Sequence, residues 1–367
     1  MNSEKENYTA GIFMPTMNRP DFVIRQLKYY AAVRCPHTIY IGDSSNQEHS
    51  NKLKGAISGF DNQLKIVYKY LPNLNNREAN LYLLSMIKEP YACFIGDDDY
   101  QIPNSVTRCI QFLENNPDYS TAGGYAVSFR LTNNGVRGEL KRLADYQRPY
   151  VKSDTAGERI TEYFRNYYVP LFSVHRTGQM LKNFEKVGEI KDISFGAELL
   201  PSALAIVAGK SATLDCLGFV RQIHDSHLEL PSAMEWTTSP KWNESYQIFE
   251  NEVSRKISEK DKIPPGDAVK ITKQAFQLYL QKYLAWDHAQ HYPIAKNTHL
   301  YKKILSSMRH NITKALPFIR YAYRTRIKPE LTGKKEMHYE VLRIGSRYYD
   351  DFKPVMDSFT DPSPKNL

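Results

Sequence analysis

Tyr91-Ala92-Cys93-Phe94-Ile95-Gly96-Asp97-Asp98-Asp99 is the stretch on which the reading of this chain turns. Five apolar or aromatic residues make a buried-strand pattern, a glycine stops it, and three carboxylates follow at once. Adjacent like charges repel, so each carboxylate calls for water or a counter-cation. A hard divalent ion, Mn²⁺ or Mg²⁺, at the strand end resolves that conflict, because such ions take carboxylate oxygens together with phosphate oxygens of a substrate. The competing reading is a solvated acidic turn or a helix N-cap.

Upstream, the same alternation recurs. Ala10–Met14 (AGIFM) reads as a strand ended by Pro15-Thr16, and apolar residues at helical spacing follow from Pro20 to Val33. His37–Ile41 reads as a strand, Asn46–Ile57 as a helix, Leu64–Tyr70 as a strand and Arg77–Met86 as a helix. Strands separated by helix-length segments predict an α/β fold with βαβ crossovers and a largely parallel sheet. Ligands of such sheets bind beyond the carboxyl ends of the strands. Pro15-Thr16, Asp43-Ser44 and Asp97–Asp99 all fall there, so one pocket is expected to collect three polar turns.

Downstream the spacing predicts a helix over Val106–Asn115, a strand over Ser120–Leu131 and a hairpin turn at Asn133-Asn134-Gly135. Residues 137–160 read as polar and irregular. Val169–His175 reads as a strand. Glu198–Ala208 reads as an apolar helix with Pro201 in its first turn and Gly209 at its end, and Ala212–Gln222 as a strand. From about Ser239 the pattern turns helical and basic, with long helices at Val269–His288 and Tyr301–Arg326, a link at Pro264-Pro265-Gly266 and a frayed tail at 361–367.

The chain has 367 residues, 41% hydrophobic and 24% charged, which excludes global disorder, collagen-like repeats and a multi-span membrane protein. No apolar run reaches the ~18–20 residues of a bilayer crossing, and MNSEKENYTAGIFMPT has no basic-then-apolar signal pattern. Cys35, Cys93, Cys109 and Cys216 stand far apart and read as buried thiols of a reducing compartment, so a cytoplasmic location is expected. The net charge of +9 is uneven. Residues 241–367 hold 23 Lys/Arg against 14 Asp/Glu, leaving 26 of each sign before them. Such a basic back suits an anionic surface, such as the inner face of a membrane or a lipid-phosphate acceptor. Packing on the rest of the chain or in a homodimer competes with that reading, and scattered helix-periodic charge without a binding motif argues against nucleic acid.

Four segments in order resemble inverting glycosyltransferases of the GT-A fold, the large family-2-like group. Ile12 to Arg19 (IFMPTMNR) resembles the opening strand and its Pro-Thr-x-Asn-Arg turn. Ile41-Gly42-Asp43-Ser44-Ser45 resembles the second strand, and Arg77-Glu78-Ala79-Asn80 a helix start whose arginine is displaced from the usual Ala-Arg-Asn. Ile95 to Asp99 resembles the DxD motif. The resemblance covers about residues 8–228. It implies a Rossmann-like nucleotide-binding sheet flanked by helices, a donor half over about 8–125, an acceptor half over 126–238 and a basic, mainly helical C-terminal region over 239–360. It implies a nucleotide-diphosphate sugar as donor and a hydroxyl acceptor, on a glycan, polysaccharide or lipid-linked saccharide. Pro15, Thr16, Asn18, Arg19, Asp43, Ser44, Arg77 and Asn80 would line the nucleotide-sugar, and Asp97 and Asp98 its diphosphate.

The family's catalytic acid precedes a helix ending in Ala-Gly-Lys. Counting back from Ala208-Gly209-Lys210 puts Glu198 in its place, with Ala197 where the family has a second acid. Asp192 is the rival general base, and the bland alternative for Glu198 is a charge at a helix N-terminus. Phe219 to His227 resembles the segment after the base. Arg221 would meet leaving diphosphate charge, and His224, rather than His227, would give a third metal ligand beside Asp97 and Asp99. Two other functions compete: a sugar-nucleotide nucleotidyltransferase, which lacks its expected glycine-rich loop here, and a non-catalytic nucleic-acid binder.

Overall fold

The computed structural model describes residues 8–146, 148, 150–225, 231–291 and 336–360. The first half follows the predicted alternation: β1 (Ala10–Thr16), α1 (Pro20–Ala32), β2 (Thr38–Asp43), α2 (Gln47–Ile57), β3 (Lys65–Tyr70), α3 (Asn76–Met86) and β4 (Tyr91–Phe94). Local chemistry sets the boundaries. Pro20 opens α1, where its missing N–H costs nothing. Asn46 caps α2 by accepting from the His49 N–H, and Asn75 and Glu78 form a reciprocal capping box on α3. The four strands pair in parallel in the order β3-β2-β1-β4. Their register sets Thr16 beside Asp43, so the polar turns meet at one edge.

The sheet then turns mixed. β5 (Tyr100–Gln101), α4 (Pro103–Asn115), β6 (Tyr119–Leu131), β7 (Leu140–Tyr146), α5 (Ala156–Arg165), β8 (Val174–Arg176), α6 (Thr177–Phe184), α7 (Leu200–Ala208) and β9 (Lys210–Gln222) follow. Nine strands join in one sheet among the described residues, in the order β3-β2-β1-β4-β8-β6-β9-β5 with β7 on β6. β8 enters antiparallel to both neighbours, and β6 and β9 run parallel. The β6–β9 pair approaches so closely that glycine is required. A Cβ on Gly218 would lie 2.5 Å from the Gly124 nitrogen, and one on Gly124 2.6 Å from the Cys216 carbonyl oxygen.

Three readings change. Residues 137–160 hold β7 and the start of α5, which Thr155 and Glu158 cap reciprocally. β7 is an edge strand with mixed burial, so its apolar alternation is weak. Val169–His175 is a helical turn over Pro170–Phe172 and then the short β8. Pro264-Pro265-Gly266 does join two long helices, but only Pro264 lies in the link, because Pro265 and Gly266 already form the first turn of the second helix. Tyr301–Arg326 and the tail at 361–367 lie outside the described residues. The four cysteines are buried and free, as expected.

The C-terminal helices α8 (Ala233–Thr237), α9 (Trp242–Asp261) and α10 (Pro265–His291) do not stand apart. Phe249, Val253, Ile257, Phe276 and Tyr279 share one apolar core with Ile160, Phe164, Phe195 and Leu200. The helix Arg347–Phe359 joins the sheet core instead: Phe359 stacks on Phe129 at 4.6 Å, and the Tyr100 and Ser358 hydroxyls lie 2.7 Å apart. No described helix is long and apolar enough to cross a membrane.

Candidate active site

The three polar turns do come together. The Ser44 N–H donates to the Thr16 carbonyl at 2.9 Å, and the Thr16 hydroxyl donates to Asp97 Oδ2 at 2.8 Å. Asn18, at φ 56°, locks the first turn to the second: its N–H donates to Ser45 Oγ at 2.7 Å and its Oδ1 accepts from the Asn46 N–H at 2.9 Å. Asp43 is wholly enclosed, accepting from the Ser45 N–H at 2.9 Å and the Tyr68 hydroxyl at 2.7 Å. Pro15 is buried in β1, where it pairs with Gly42.

Asp97, Asp98 and Asp99 are all buried, not a solvated turn. Arg19 answers two of them: Nη1 lies 2.8 Å from Asp97 Oδ1 and Nη2 2.9 Å from Asp98 Oδ2. His224 Nε2 stands 2.8 Å from Asp98 Oδ2 and 2.9 Å from Arg19 Nη2. Protonated, that nitrogen donates to Asp98; bare, it accepts from Arg19. Burial, then the Asp98 charge, pushes Asp97 up to about 7, with Arg19 opposing. The same two causes push Asp99 well above the carboxylate range. For Asp98 burial is outweighed by the His224 hydrogen bond and the Arg19 charge, so this carboxyl is held below its ordinary value. One anion flanked by two suppressed ones is the expected outcome for crowded buried carboxylates.

The implied Mn²⁺ or Mg²⁺ meets a difficulty here. Asp97 and Asp98 already grip a guanidinium, and Asp99 faces elsewhere, its Oδ1 accepting from the Gln222 N–H at 2.9 Å. Asp97, Asp99 and His224 therefore do not form one ligand set, and no group of three His, Cys, Asp or Glu among the described residues has the arrangement to hold a metal. His227 lies outside the described residues.

Two residues that the sequence reading missed build this cluster. Arg25 crosses from α1 to donate to the Asp98 carbonyl at 2.7 Å, the Val136 carbonyl at 2.6 Å and Gln222 Oε1 at 2.6 Å. Gln26 donates to the Gly96 carbonyl at 2.6 Å and to that of Asp99. The signal was present: both interrupt the buried stripe of α1 between Val23 and Leu27.

Beside the cluster lies a cavity of about 370 Å³, lined among others by Asn80, Phe94, Tyr167, Glu198, Arg221, Tyr279 and Tyr283. Glu198 is half-buried and accepts from the Tyr167 hydroxyl. Burial raises its pKa, while Tyr167 and Arg221 pull it back. It does not open the predicted helix. Phe195–Leu199 is a π-turn in which the Leu200 N–H reaches back to the Phe195 carbonyl, and such turns recur at functional sites. Arg221 sits over the Tyr146 ring at 5.6 Å and is held charged, against burial, by Tyr146 and Asp99. It links Glu198 to the acidic cluster electrostatically. Asn80 is buried, and its Oδ1 has no hydrogen-bond partner among the described residues.

Two predicted site residues have other duties. Asp192 Oδ1 accepts from the Phe195 N–H at 3.0 Å and the Trp236 indole N–H at 3.1 Å, so this carboxyl buttresses the π-turn and does not line the cavity. Arg77 donates to the Ile190 carbonyl and ties α3 to the segment that carries Glu198.

No protein-family model matches the chain, and no curated protein matches it. Solved structures are similar to it at low identity. S. aureus TarS 1-349 is 12% identical, with 96% of this chain and 91% of that chain covered and a TM-score of 0.49. The same protein in complex with UDP-GlcNAc is 13% identical over the same shares, also at 0.49. The mannosyltransferase PcManGT from Pyrobaculum calidifontis, in complex with GDP-Man and Mn2+, is 11% identical, with 85% and 82% covered and a TM-score of 0.42.

Proposed function

We propose that this chain is a glycosyltransferase that moves a sugar from a nucleotide-diphosphate donor to a hydroxyl acceptor with inversion. The observation that carries the reading is one cavity at the sheet's carboxyl edge in which Glu198, Arg221 and the unpartnered Asn80 Oδ1 converge beside a buried acidic cluster. A carboxyl raised by burial, a fixed cation and an open acceptor in a mostly apolar pocket are what deprotonation, leaving-group stabilisation and substrate orientation call for.

In this mechanism Glu198 takes the proton of the attacking hydroxyl. The new bond forms to the anomeric carbon as the bond to the phosphate oxygen breaks on the opposite face, and the nucleoside diphosphate leaves with the electron pair. Arg221 receives the negative charge that develops there, fixed in place before the reaction begins. Asn80 Oδ1 accepts from a donor hydroxyl. Thr16, Arg19 and Ser44 frame the nucleotide, with Pro15, Asn18 and the enclosed Asp43 fixing their turns. Arg19 already supplies positive charge between Asp97 and Asp98, so no step is routed through a divalent ion. Peripheral contact with an anionic membrane at the cytoplasmic face would fall to residues 292–335, which hold 11 Lys/Arg and one acidic residue and lie outside the described residues.

The test is a thermal-shift screen of UDP-, GDP-, CDP- and dTDP-sugars followed by donor hydrolysis. One nucleotide class should raise Tm, since ligand at 100 times its Kd adds about 2.7 kcal/mol to the folded state. Protection by none of them, with no hydrolysis, removes the reading.

A further inference from the structure

The cavity that holds Glu198 continues along α10. A second cavity of about 380 Å³ shares Tyr167, Tyr279 and Tyr283 with the first and adds Phe164, Arg165, Asn166, Lys282 and Trp286. Tyr279, Tyr283 and Trp286 fall on one helical face and stack almost in parallel. Tyr279 and Tyr283 have centroids 5.8 Å apart at 9°, and Tyr283 and Trp286 6.2 Å apart at 13°. Exposure climbs along the series, from 9% at Tyr279 to 58% at Trp286. The ladder is braced from below: the Trp236 ring meets Tyr283 edge-on at 5.7 Å, and Asp192 holds the Trp236 indole.

We propose that this ladder is the acceptor track and that its occupant is an oligosaccharide, an inference that rests on the transferase reading and names its acceptor class. Pyranose rings carry weakly positive C–H groups that suit the negative face of an aromatic ring. Flat, mutually parallel rings with planar polar groups at the rim are the chemistry of sugar recognition. A greasy tail needs no such rim. A polyanion calls for a longer run of cations than the two, Arg165 and Lys282, that line this cavity. Seven residues of helix advance about 10 Å, so the track spans more than one sugar beyond the ring that meets Glu198. Trp286 is a substrate-binding residue at its outer end.

The experiment probes a printed array of neutral and acidic oligosaccharides with the full chain and with Trp286→Ala and Trp286→Phe, and it measures vesicles containing phosphatidylglycerol in parallel. Trp286 is largely exposed, so truncation leaves the core intact. The expected result is binding that strengthens with oligosaccharide length, falls at least ten-fold in Trp286→Ala and is restored in Trp286→Phe. No bound sugar, equal binding by Trp286→Ala, or Trp286-dependent binding to vesicles alone overturns the track. Nucleotide-sugar protection is read separately: its loss with sugar binding intact would remove the transferase reading and leave the sugar site standing.

Discussion

Arg19 reaches from the turn after β1 to the acidic cluster, with its Nη1 2.8 Å from Asp97 Oδ1. This guanidinium stands where the sequence led one to expect a divalent ion. Arg19→Ala leaves two buried carboxylates without their cation, and breaking such a pair costs about 3–5 kcal/mol. The same change opens the space between Asp97 and Asp98. A Mn²⁺ titration followed by electron paramagnetic resonance should find weak binding to the parent chain and at least ten-fold tighter binding to Arg19→Ala. Tight binding to the parent that disappears in Asp99→Ala would restore the metal reading.

Glu198→Gln separates activity from stability. Glutamine keeps an oxygen for the Tyr167 hydroxyl but cannot take a proton, so turnover should fall by ~10²–10⁴ with nucleotide affinity retained. Burial raises the Glu198 pKa in the folded chain, so the folded state holds this proton more tightly than the unfolded state does. Its contribution to stability is present at low pH and lost as pH rises through the folded value. Near pH 8 Glu198→Gln should therefore melt at or above the parent temperature, whereas at pH 4 the advantage vanishes. The acid limb of the parent's kcat/KM profile should lie above the ordinary glutamate range. A variant with full turnover would return the base assignment to an open question.

Asp192→Ala should behave as a packing defect. It strips two buried N–H donors, those of Phe195 and the Trp236 indole, of their acceptor. Each loss costs about 1–3 kcal/mol. Urea melts should show the drop, and donor hydrolysis per folded molecule should stay within a few-fold of the parent. A stable but inactive variant would instead favour Asp192 as the base.

Gly218→Ala tests the closest approach in the sheet. The added methyl would meet backbone atoms of Gly124, which cannot rotate away as a side chain tip does. A loss of at least 1–3 kcal/mol is expected, as for other overpacked sites. Gly178→Ala, where nothing lies within 4 Å, is the control and should match or exceed the parent because helical glycine is unfavourable. Equal melting of the two variants would mean that β6 and β9 separate easily.

Apart from the two-residue β5, the order of strands and helices through Leu131 was legible in the sequence because buried strands and amphipathic helices carry opposite periods, and the polar residues at the ends of β1, β2 and β4 mark each strand's end to within two residues. Glu198 was legible only through the family resemblance, by counting back from Gly209, and Asp97–Asp99 by their charge density after an apolar run. Tertiary structure alone decided the rest. β7 and β8 are short or half-exposed, so their pairing comes from neighbours and not from an intrinsic pattern. Asp192 and Glu198 are both acids before one apolar helix; only the positions of Trp236, Tyr167 and Arg221, brought in from distant segments, make the first a buttress and the second a cavity residue. The acidic triplet shows the same division. Its need for positive charge is written in three adjacent letters, but whether a metal ion or Arg19 meets that need depends on how a turn about 80 residues upstream folds against it, a long-range contact that no local spacing encodes.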